Sequence, residues 1–218
     1  MSELAHSVLD FFGLTSRPYA IDGIVLIVLY VIQAEVRFGA KARSSSAGAA
    51  DKGSSLVLSL AAMAPVAGFV LAIKLAPLAI ASRYPLVFWL FGPTLPGLPA
   101  VGWVSFGVGM AGLALRMWAV LTLRHRYTRT LLIHDGHEIE RGGPYRYVRH
   151  PGYLGSLLCL NAIAAMSGAT PVLVVSLLAT ITAYAYRVRA EDAMLVAAIG
   201  APYEEYRREV GALLPFLR

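Results

Sequence analysis

Charged residues are scarce in this chain. Only 15% of its 218 residues are Asp, Glu, Lys or Arg, whereas 57% are hydrophobic, and the mean hydropathy is +0.63. Soluble globular domains carry about 25% charged residues, so this composition excludes an ordinary soluble protein and indicates a membrane protein. The formal net charge is +6, but the basic residues lie between apolar runs and form no stripe with interleaved aromatic residues, which argues against nucleic acid as a partner.

Cysteine is nearly absent as well. Cys159 is the single cysteine and lies inside an apolar run, so the chain has no disulfide framework and no cysteine-based metal motif, and we expect a small buried side chain there. His134 and His137 resemble a pair of metal ligands, but no nearby cysteine or second histidine pair completes a site. The sequence therefore predicts no bound metal.

Long apolar runs are what the chain does contain. A helix needs about 20 apolar residues to cross roughly 30 Å of hydrocarbon, and five segments reach or approach that length. They are residues 21–36, 56–81, 101–123, 153–167 and 171–186. The last two are short and separated by three residues, which predicts a tight helical hairpin. Residues 85–99 are rich in aromatic residues and in proline, which predicts an interfacial loop and not a further span.

The basic residues predict an orientation. Lys and Arg are concentrated in the connections after the first and third spans and after the fifth, whereas the opposite connections carry Arg17 and Arg83. Because Lys and Arg mark the cytoplasmic side of a membrane protein, we expect the N-terminus outside and the long loop and C-terminal tail in the cytoplasm. The predicted fold is therefore an all-α integral membrane protein of about five transmembrane helices with a cytoplasmic C-terminal helix.

Two polar segments flank the predicted hairpin and would emerge on the same face of the membrane. The first is RGGPYRYVRHPGYLG, from Arg141 to Gly155. Pro151 suits the first turn of a helix and pushes His150 into an extended conformation. Gly152 and Gly155 allow close approach, and the free N–H groups of a helix start favour an anionic group. The alternative is an ordinary interfacial segment that anchors the helix end through Arg and Tyr.

The second polar segment runs from Tyr186 to Val210. Arg187 and Glu191 are four residues apart and share one face of a helix, and an unpaired carboxylate so close to the membrane usually has a partner or a function. The alternative is a pair of charges that only stabilises the helix, and this is our expectation for Arg189 and Asp192.

A glycine motif inside the third span needs a separate interpretation. Gly107, Gly109 and Gly112 spell GxGxxG, which in another setting binds a dinucleotide. No strand precedes them, so the pattern predicts close helix packing instead.

Taken in order, HEIERGGPYRYVRHPGYLG, a helical hairpin, RVRAED and GAPYEEY resemble the isoprenylcysteine carboxyl methyltransferase family and its bacterial relatives. These are integral-membrane enzymes that use S-adenosylmethionine. The resemblance covers the last third of the chain, from about His137 to Phe216. It implies a catalytic core at residues 101–218, preceded by an N-terminal membrane unit at residues 1–100, and a place in a bacterial inner membrane with the active site on the cytoplasmic side.

The resemblance also implies roles for individual residues. Glu191 would contact the cofactor from the last helix, and Arg187 would face the methyl acceptor. The other residues that it assigns to the cofactor are His137, Glu138, Ile139, Glu140, Tyr145, His150, Pro151, Gly152 and Tyr153. Glu138 and Glu140 stand where eukaryotic members have less acidic residues, so their contacts would be made through the backbone.

The chemistry of the cofactor suits these side chains. A carboxylate suits the sulfonium or the ammonium, the free N–H groups of a helix start suit the carboxylate, and an aromatic ring suits the adenine. A carboxylate acceptor needs no base, whereas an amine or a thiol would need one and His150 is the candidate.

Several functions remain open at the level of sequence. The acceptor implied by the resemblance is a lipophilic or prenylated carboxylate that enters from the bilayer, whereas related sequences act on phospholipid amines or small thiols. A reductase of the sterol-reductase kind, which uses NADPH, has a similar C-terminal region but more spans. A transporter or scaffold would leave the clustered Arg, His, Tyr and Glu without a role.

Overall fold

The structure is a computed structural model that describes residues 20–37, 53–81, 84–92, 94–95, 100–123 and 139–215. Within these ranges the chain forms seven α-helices and a 3₁₀ turn at Gly143–Arg146, and it has no β-strand. The helices are α1 (Ala20–Arg37), α2 (Ser54–Ala81), α3 (Pro85–Phe91), α4 (Ala100–Leu123), α5 (Pro151–Met166), α6 (Thr170–Ile199) and α7 (Ala201–Glu209). The predicted all-α fold is confirmed.

Five of these helices correspond to the five predicted spans. Three have a segment long and apolar enough to cross a membrane: Ser54–Leu75 in α2, Ala100–Leu123 and Thr170–Ile199. The other two apolar segments, Ile21–Gln33 in α1 and Pro151–Met166, are shorter. At 1.5 Å per residue, the 16 residues of α5 extend for only about 24 Å, less than the thickness of the hydrocarbon layer.

Two boundaries differ from the prediction. Residues 85–91 form the short helix α3 where a loop was expected, because Pro85 stands at its first turn, where its missing N–H costs no hydrogen bond. Helix α6 continues past residue 186 through the charged segment to Ile199 and ends at Gly200, whose positive φ of 73° terminates it. The first part of the second polar segment, up to Ile199, is thus a helical continuation of the fifth span, and the rest forms α7.

Two of the three glycines of the third span, Gly109 and Gly112, let neighbouring helices approach closely, as predicted. A Cβ placed on Gly112 would lie 2.6 Å from the carbonyl oxygen of Gly155, and one on Gly109 would lie 2.6 Å from Cδ1 of Leu26. Gly107 has no neighbour within 4 Å of such a Cβ. Helix α4 therefore crosses α5 at the Gly112–Gly155 contact, which fixes the position of the first turn of α5.

The hydrophobic core lies between the apolar helices near this crossing. Cys159 is fully buried in it, as predicted for a small apolar side chain. The other members of this core are Leu26, Phe69, Ile73, Leu113, Ala162, Ile163 and Met166. These residues come from α1, α2, α4 and α5, so helices on both sides of residue 100 share one core.

A polar network joins the two helices of the hairpin. The side-chain amide of Asn161 donates to Oγ1 of Thr180 at 3.0 Å, and the hydroxyl of Ser176 donates to Oδ1 of Asn161 at 2.9 Å. Polar groups inside an apolar layer stabilise helix pairs when they are mutually satisfied. The sequence analysis did not identify this network, which holds α5 against α6.

The start of α2, the segment before α5 and helix α7 lie at one end of the bundle. Arg187 of α6 donates hydrogen bonds to Ser54 and Ser55, at the start of α2. The segment before α5 and helix α7 lie at the same end, because backbone hydrogen bonds join residues 149–150 to residues 211–212. At the opposite end, Thr94 bonds to the turn between α5 and α6.

Candidate functional site

The segment that leads into α5 is fixed by the C-terminal tail. Backbone N–H groups of Arg149 and His150 donate to the carbonyl oxygens of Gly211 and Ala212 at 2.9 and 3.0 Å. His150 is the N-cap residue of α5, and Pro151 begins the helix, as the sequence predicts. The backbone φ and ψ of His150, −122° and 60°, lie outside the helical region, but they also lie outside the extended region that was expected for this residue. The tail therefore determines where the side chains of residues 149 and 150 point.

The two polar segments meet at this end of the bundle. Nδ1 of His150 lies 3.9 Å from Oε1 of Glu191, so the residue before α5 and the residue near the end of α6 face one another, as expected. The His150 side chain is 5% exposed and that of Glu191 is 24% exposed. A carboxylate that is open to solvent on one side and beside a buried ring on the other is suited to contact a small ligand.

Tyr153 connects the predicted cofactor residue to the predicted acceptor residue. Its hydroxyl donates to Oε2 of Glu191 at 2.5 Å and accepts a hydrogen bond from Nε of Arg187 at 3.0 Å. Its ring stacks on that of His150, with 5.5 Å between the centroids and 10° between the planes. Four residues predicted from the sequence therefore form one cluster.

Arg187 is the most deeply buried charged residue of this cluster. It is 2% exposed, and its Nη1 donates to the hydroxyl groups of Ser54 at 2.6 Å and Ser55 at 3.0 Å. The two serines lie at the start of α2, so this helix also contacts the cluster. A guanidinium held by three hydroxyl groups keeps a single orientation, which is a condition for binding an anion in a defined geometry.

Asp192 has a different place from the one expected. The sequence analysis assigned it to a helix-stabilising pair, but it is buried at 6% exposure and both of its oxygens have partners. Oδ2 accepts from Nη2 of Arg149 at 3.0 Å, Oδ1 lies 3.0 Å from Nε2 of His150, and the hydroxyl of Tyr203 donates to Oδ1 at 2.6 Å. The expectation for Asp192 was therefore wrong.

The helical spacing of α6 contains the signal that would have identified Asp192. The buried positions of this helix are residues 176, 180, 183, 184, 187, 188 and 192. These positions are separated by one, three or four residues and therefore lie on one face of the helix. The same spacing, continued by four residues from Val188, reaches Asp192. Arg189, the other half of the expected pair, is exposed.

Two buried tyrosines of α7 attach the tail to the site. Tyr203 bonds to Asp192, and Tyr206 donates its hydroxyl to the carbonyl oxygen of Tyr145 at 2.6 Å. Burial, together with the nearby Asp192 carboxylate, raises the pKa of Tyr203 well above its usual value, and burial raises the pKa of Tyr206 to about 12. Both hydroxyls are therefore neutral donors near neutral pH.

The remaining predicted cofactor residues lie along the approach to α5. Tyr145 is buried in the 3₁₀ turn, Ile139 is half-buried, and a side-chain oxygen of Glu140 accepts from the backbone N–H of Gly142 at 2.9 Å. Pro151 and Gly152 begin α5. Pro151 has no N–H group, the N–H groups of Tyr153 and Leu154 donate to the carbonyl oxygen of His150, and no side chain caps the N–H of Gly152. His137 and Glu138, like His134, lie outside the described residues.

The surface around this cluster carries charges of both signs, with exposed carboxylates on α7 at Glu204, Glu205 and Glu209. Exposed guanidinium groups lie on the segment before α5, on α6 and on α7: Arg141, Arg146, Arg189, Arg207 and Arg208. Nε of Arg207 also approaches Oδ2 of Asp192 to 3.7 Å. The cluster thus combines a half-exposed carboxylate, an uncapped helix start and a buried guanidinium at the polar end of an apolar bundle. Such a set can bind a cation and a carboxylate at adjacent positions.

Comparison with known protein families finds a match that spans these residues. A family model described as "Isoprenylcysteine carboxyl methyltransferase (ICMT) family" matches residues 105–197, a range that includes His150, Tyr153, Arg187 and Glu191. It covers most of α4, all of α5 and most of α6.

Individual relatives match over a similar part of the chain. A protein of Oryza sativa subsp. indica named "Probable protein-S-isoprenylcysteine O-methyltransferase" is 31% identical over 130 residues, which is 59% of this chain and 68% of the relative. "Protein-S-isoprenylcysteine O-methyltransferase A" of Arabidopsis thaliana is 31% identical over 56% of this chain and 64% of its own length. "Cobalt-zinc-cadmium resistance protein CzcN" of Cupriavidus metallidurans is 33% identical over 53% of this chain and 52% of its own length.

Proposed function

This chain belongs to the isoprenylcysteine carboxyl methyltransferase family of membrane methyltransferases, and from this premise we propose that it methylates a carboxylate of a lipophilic, isoprenylcysteine-like acceptor with S-adenosylmethionine. The observation that carries the proposal is the position of the Tyr153 hydroxyl between Glu191 and Arg187, at 2.5 and 3.0 Å. The carboxylate of Glu191, which suits a cationic methyl donor, therefore lies next to the guanidinium of Arg187, which suits an anionic acceptor. Methyl transfer requires donor and acceptor to be adjacent.

The residues on the donor side fit the proposed cofactor. Glu191 offers a carboxylate to a cation, and the backbone N–H of Gly152, together with the positive end of the helix dipole of α5, attracts a carboxylate. We assign residues 137–140, Tyr145 and His150 to the same side. When bound, S-adenosylmethionine supplies a methyl group whose bond to sulfur breaks with the electron pair remaining on sulfur.

Arg187 is proposed to orient the acceptor. A carboxylate acceptor has no proton to remove, so the protein does not need a general base, and the work of the site is alignment and exclusion of water. The guanidinium is surrounded by helices and not by solvent. The surrounding protein weakens the attraction between opposite charges less than water does. If the acceptor were an amine or a thiol, His150 would be the group placed to take the proton.

We propose that this end of the bundle faces the cytoplasm. The exposed arginines of residues 141–208 support this orientation, because such residues are enriched on the cytoplasmic side. In that arrangement the cofactor reaches the site from water, while an apolar acceptor reaches it from the bilayer. The N-terminus is then outside.

The proposal is tested by methyl transfer in lipid nanodiscs. The purified protein is incubated with S-adenosylmethionine labelled with tritium in its methyl group and with N-acetyl-S-farnesylcysteine, and the lipid product is then treated with alkali. A methyl ester releases volatile methanol under these conditions, whereas a methyl group on nitrogen or sulfur is retained. The matched control acceptor is the same compound with its carboxylate already esterified.

Label that becomes volatile with the free acid and not with the ester supports carboxyl methylation. Label retained after alkali on phosphatidylethanolamine or on a small thiol contradicts the proposed acceptor. Oxidation of NADPH without any methyl transfer contradicts the proposed reaction.

A further inference from the structure

A buried carboxylate that the proposed chemistry does not use lies directly behind His150. Asp192 accepts hydrogen bonds from Arg149 through Oδ2 and from Tyr203 through Oδ1, and Nε2 of His150 lies 3.0 Å from the same Oδ1. The side chains of Asp192 and His150 are 8% and 5% exposed. These four groups come from the segment before α5, from α6 and from α7, so Asp192 is where three parts of the chain meet.

The partners of Asp192 determine which nitrogen of His150 carries a proton. Arg149 is charged at any accessible pH, and a carboxylate that pairs with it at 3.0 Å is ionised and can only accept hydrogen bonds. Nε2 of His150 is within hydrogen-bonding distance of this acceptor, so Nε2 is the nitrogen that bears the hydrogen. In the neutral ring, Nδ1 then carries a lone pair.

The lone pair of Nδ1 points to the side of the ring where Glu191 lies. The 3.9 Å between Nδ1 and Oε1 of Glu191 is too long for a hydrogen bond, so the two atoms are neighbouring acceptors with no direct bond between them. The stacked ring of Tyr153 restricts rotation of the imidazole about the Cβ–Cγ bond of His150. This pair of acceptors is suited to a donor with several N–H groups, such as an ammonium.

We propose that Asp192 is a positioning residue that fixes the tautomer and orientation of His150, so that Nδ1 and Glu191 together accept hydrogen bonds from an ammonium group of the bound donor. The ammonium part of this inference rests on the proposed function. The tautomer part does not, because it follows from the contacts of Asp192 alone. Carboxylates that orient a histidine through one ring nitrogen commonly set the chemistry of the other.

Nuclear magnetic resonance of the full chain in lipid bilayers tests the tautomer. The protein is labelled with ¹⁵N-histidine, and a His150→Gln spectrum is subtracted to assign the signals of His150. The expected wild-type spectrum at mildly alkaline pH shows a protonated Nε2 and an unprotonated Nδ1. A protonated Nδ1 in the neutral ring would overturn the proposal. This measurement uses the wild-type protein and needs no variant of Asp192.

Two variants separate positioning from a purely structural role. Asp192→Asn replaces the obligatory acceptor by an amide that can also donate, so we expect the signals of His150 to show the other tautomer or a mixture. Tyr203→Phe removes a different hydrogen bond from the same Oδ1 and is expected to keep the wild-type signals. Unchanged signals in Asp192→Asn, or equal changes in both variants, would overturn the assignment.

Calorimetry with S-adenosylhomocysteine then tests the link to the donor. Asp192→Asn is expected to weaken binding by about tenfold or more, the magnitude of one hydrogen bond to a charged group, and Tyr203→Phe by much less. If the wild-type protein shows the expected tautomer and does not bind this ligand, the proposed function fails and the positioning role stands. If it binds the ligand and Asp192→Asn binds equally well, the proposed contact between the ammonium group and Nδ1 of His150 is contradicted, whatever the tautomer.

Discussion

The hydroxyl oxygen of Tyr153 lies 2.5 Å from Oε2 of Glu191, and this contact joins the first turn of α5 to the charged extension of α6. The same hydroxyl accepts a hydrogen bond from Arg187, so the carboxylate and the guanidinium are connected through a phenol. One oxygen of Glu191 is thereby held in place while the other faces His150. The carboxylate keeps the capacity to bind a cationic ligand.

We expect Tyr153→Phe to weaken this connection without removing the aromatic ring. Loss of a hydrogen bond to a charged group costs roughly 1.5–3 kcal/mol, so binding of S-adenosylhomocysteine should weaken about tenfold or more. The measurement is calorimetry in detergent, with Tyr147→Phe as the control because Tyr147 is 59% exposed. Equal affinities of the two variants would show that the Tyr153 hydroxyl does not organise the site.

Arg187→Lys should impair turnover more than cofactor binding. The lysine keeps the charge but cannot reproduce the contacts of one guanidinium with Tyr153, Ser54 and Ser55. We expect kcat to fall by about tenfold or more while the affinity for S-adenosylhomocysteine changes little.

The matched control is Arg189→Lys, which alters an exposed arginine two residues away on the same helix. It should retain wild-type kcat and affinity. An Arg187→Lys enzyme with wild-type kcat would remove Arg187 from the acceptor site.

The crossing of α4 and α5 predicts a sharp difference between two glycines of α4. A Cβ on Gly112 would lie 2.6 Å from the carbonyl oxygen of Gly155, whereas one on Gly107 has no neighbour within 4 Å. Overpacking of this kind costs roughly 1–3 kcal/mol, so Gly112→Ala should lower the midpoint of thermal unfolding in detergent. Gly107→Ala should leave the midpoint unchanged or raise it slightly, and a reversed order would contradict the helix packing described.

The proposed orientation can be tested with single cysteines. Cys159 is buried, so a Cys159→Ala background leaves no other thiol in the chain. Arg208→Cys, on exposed α7, should react with a membrane-impermeant maleimide in inside-out vesicles of the bacterial inner membrane and not in right-side-out vesicles. Tyr84→Cys, which is 73% exposed next to α3 at the other end of the bundle, should give the opposite pattern. The reverse result for both variants would place the site outside the cytoplasm.

Features with a local cause could be predicted from the sequence. Pro151 begins a helix because of its own ring, Arg187 and Glu191 share a face because of the helical repeat, and Gly112 permits a close crossing because it has no Cβ. Each of these follows from a residue and its near neighbours in the chain, and the structure shows each of them.

Features that depend on tertiary contacts could not be predicted in the same way. Ser54 bonds to Arg187 across 133 positions, and no local pattern of the serine indicates that partner. Asp192 and Glu191 are adjacent carboxylates with different surroundings, because successive positions on a helix point about 100° apart. One of them faces the tail and Arg149, and the other faces Tyr153.

Isothermal titration calorimetry of the detergent-solubilised protein with S-adenosylhomocysteine tests the central claim most directly. We predict saturable binding at one site per chain, an affinity about tenfold or more weaker in Glu191→Gln, and no binding of NADPH. Binding of NADPH alone, or binding of S-adenosylhomocysteine that is unaffected by Glu191→Gln, would contradict a donor site built around Glu191 and His150.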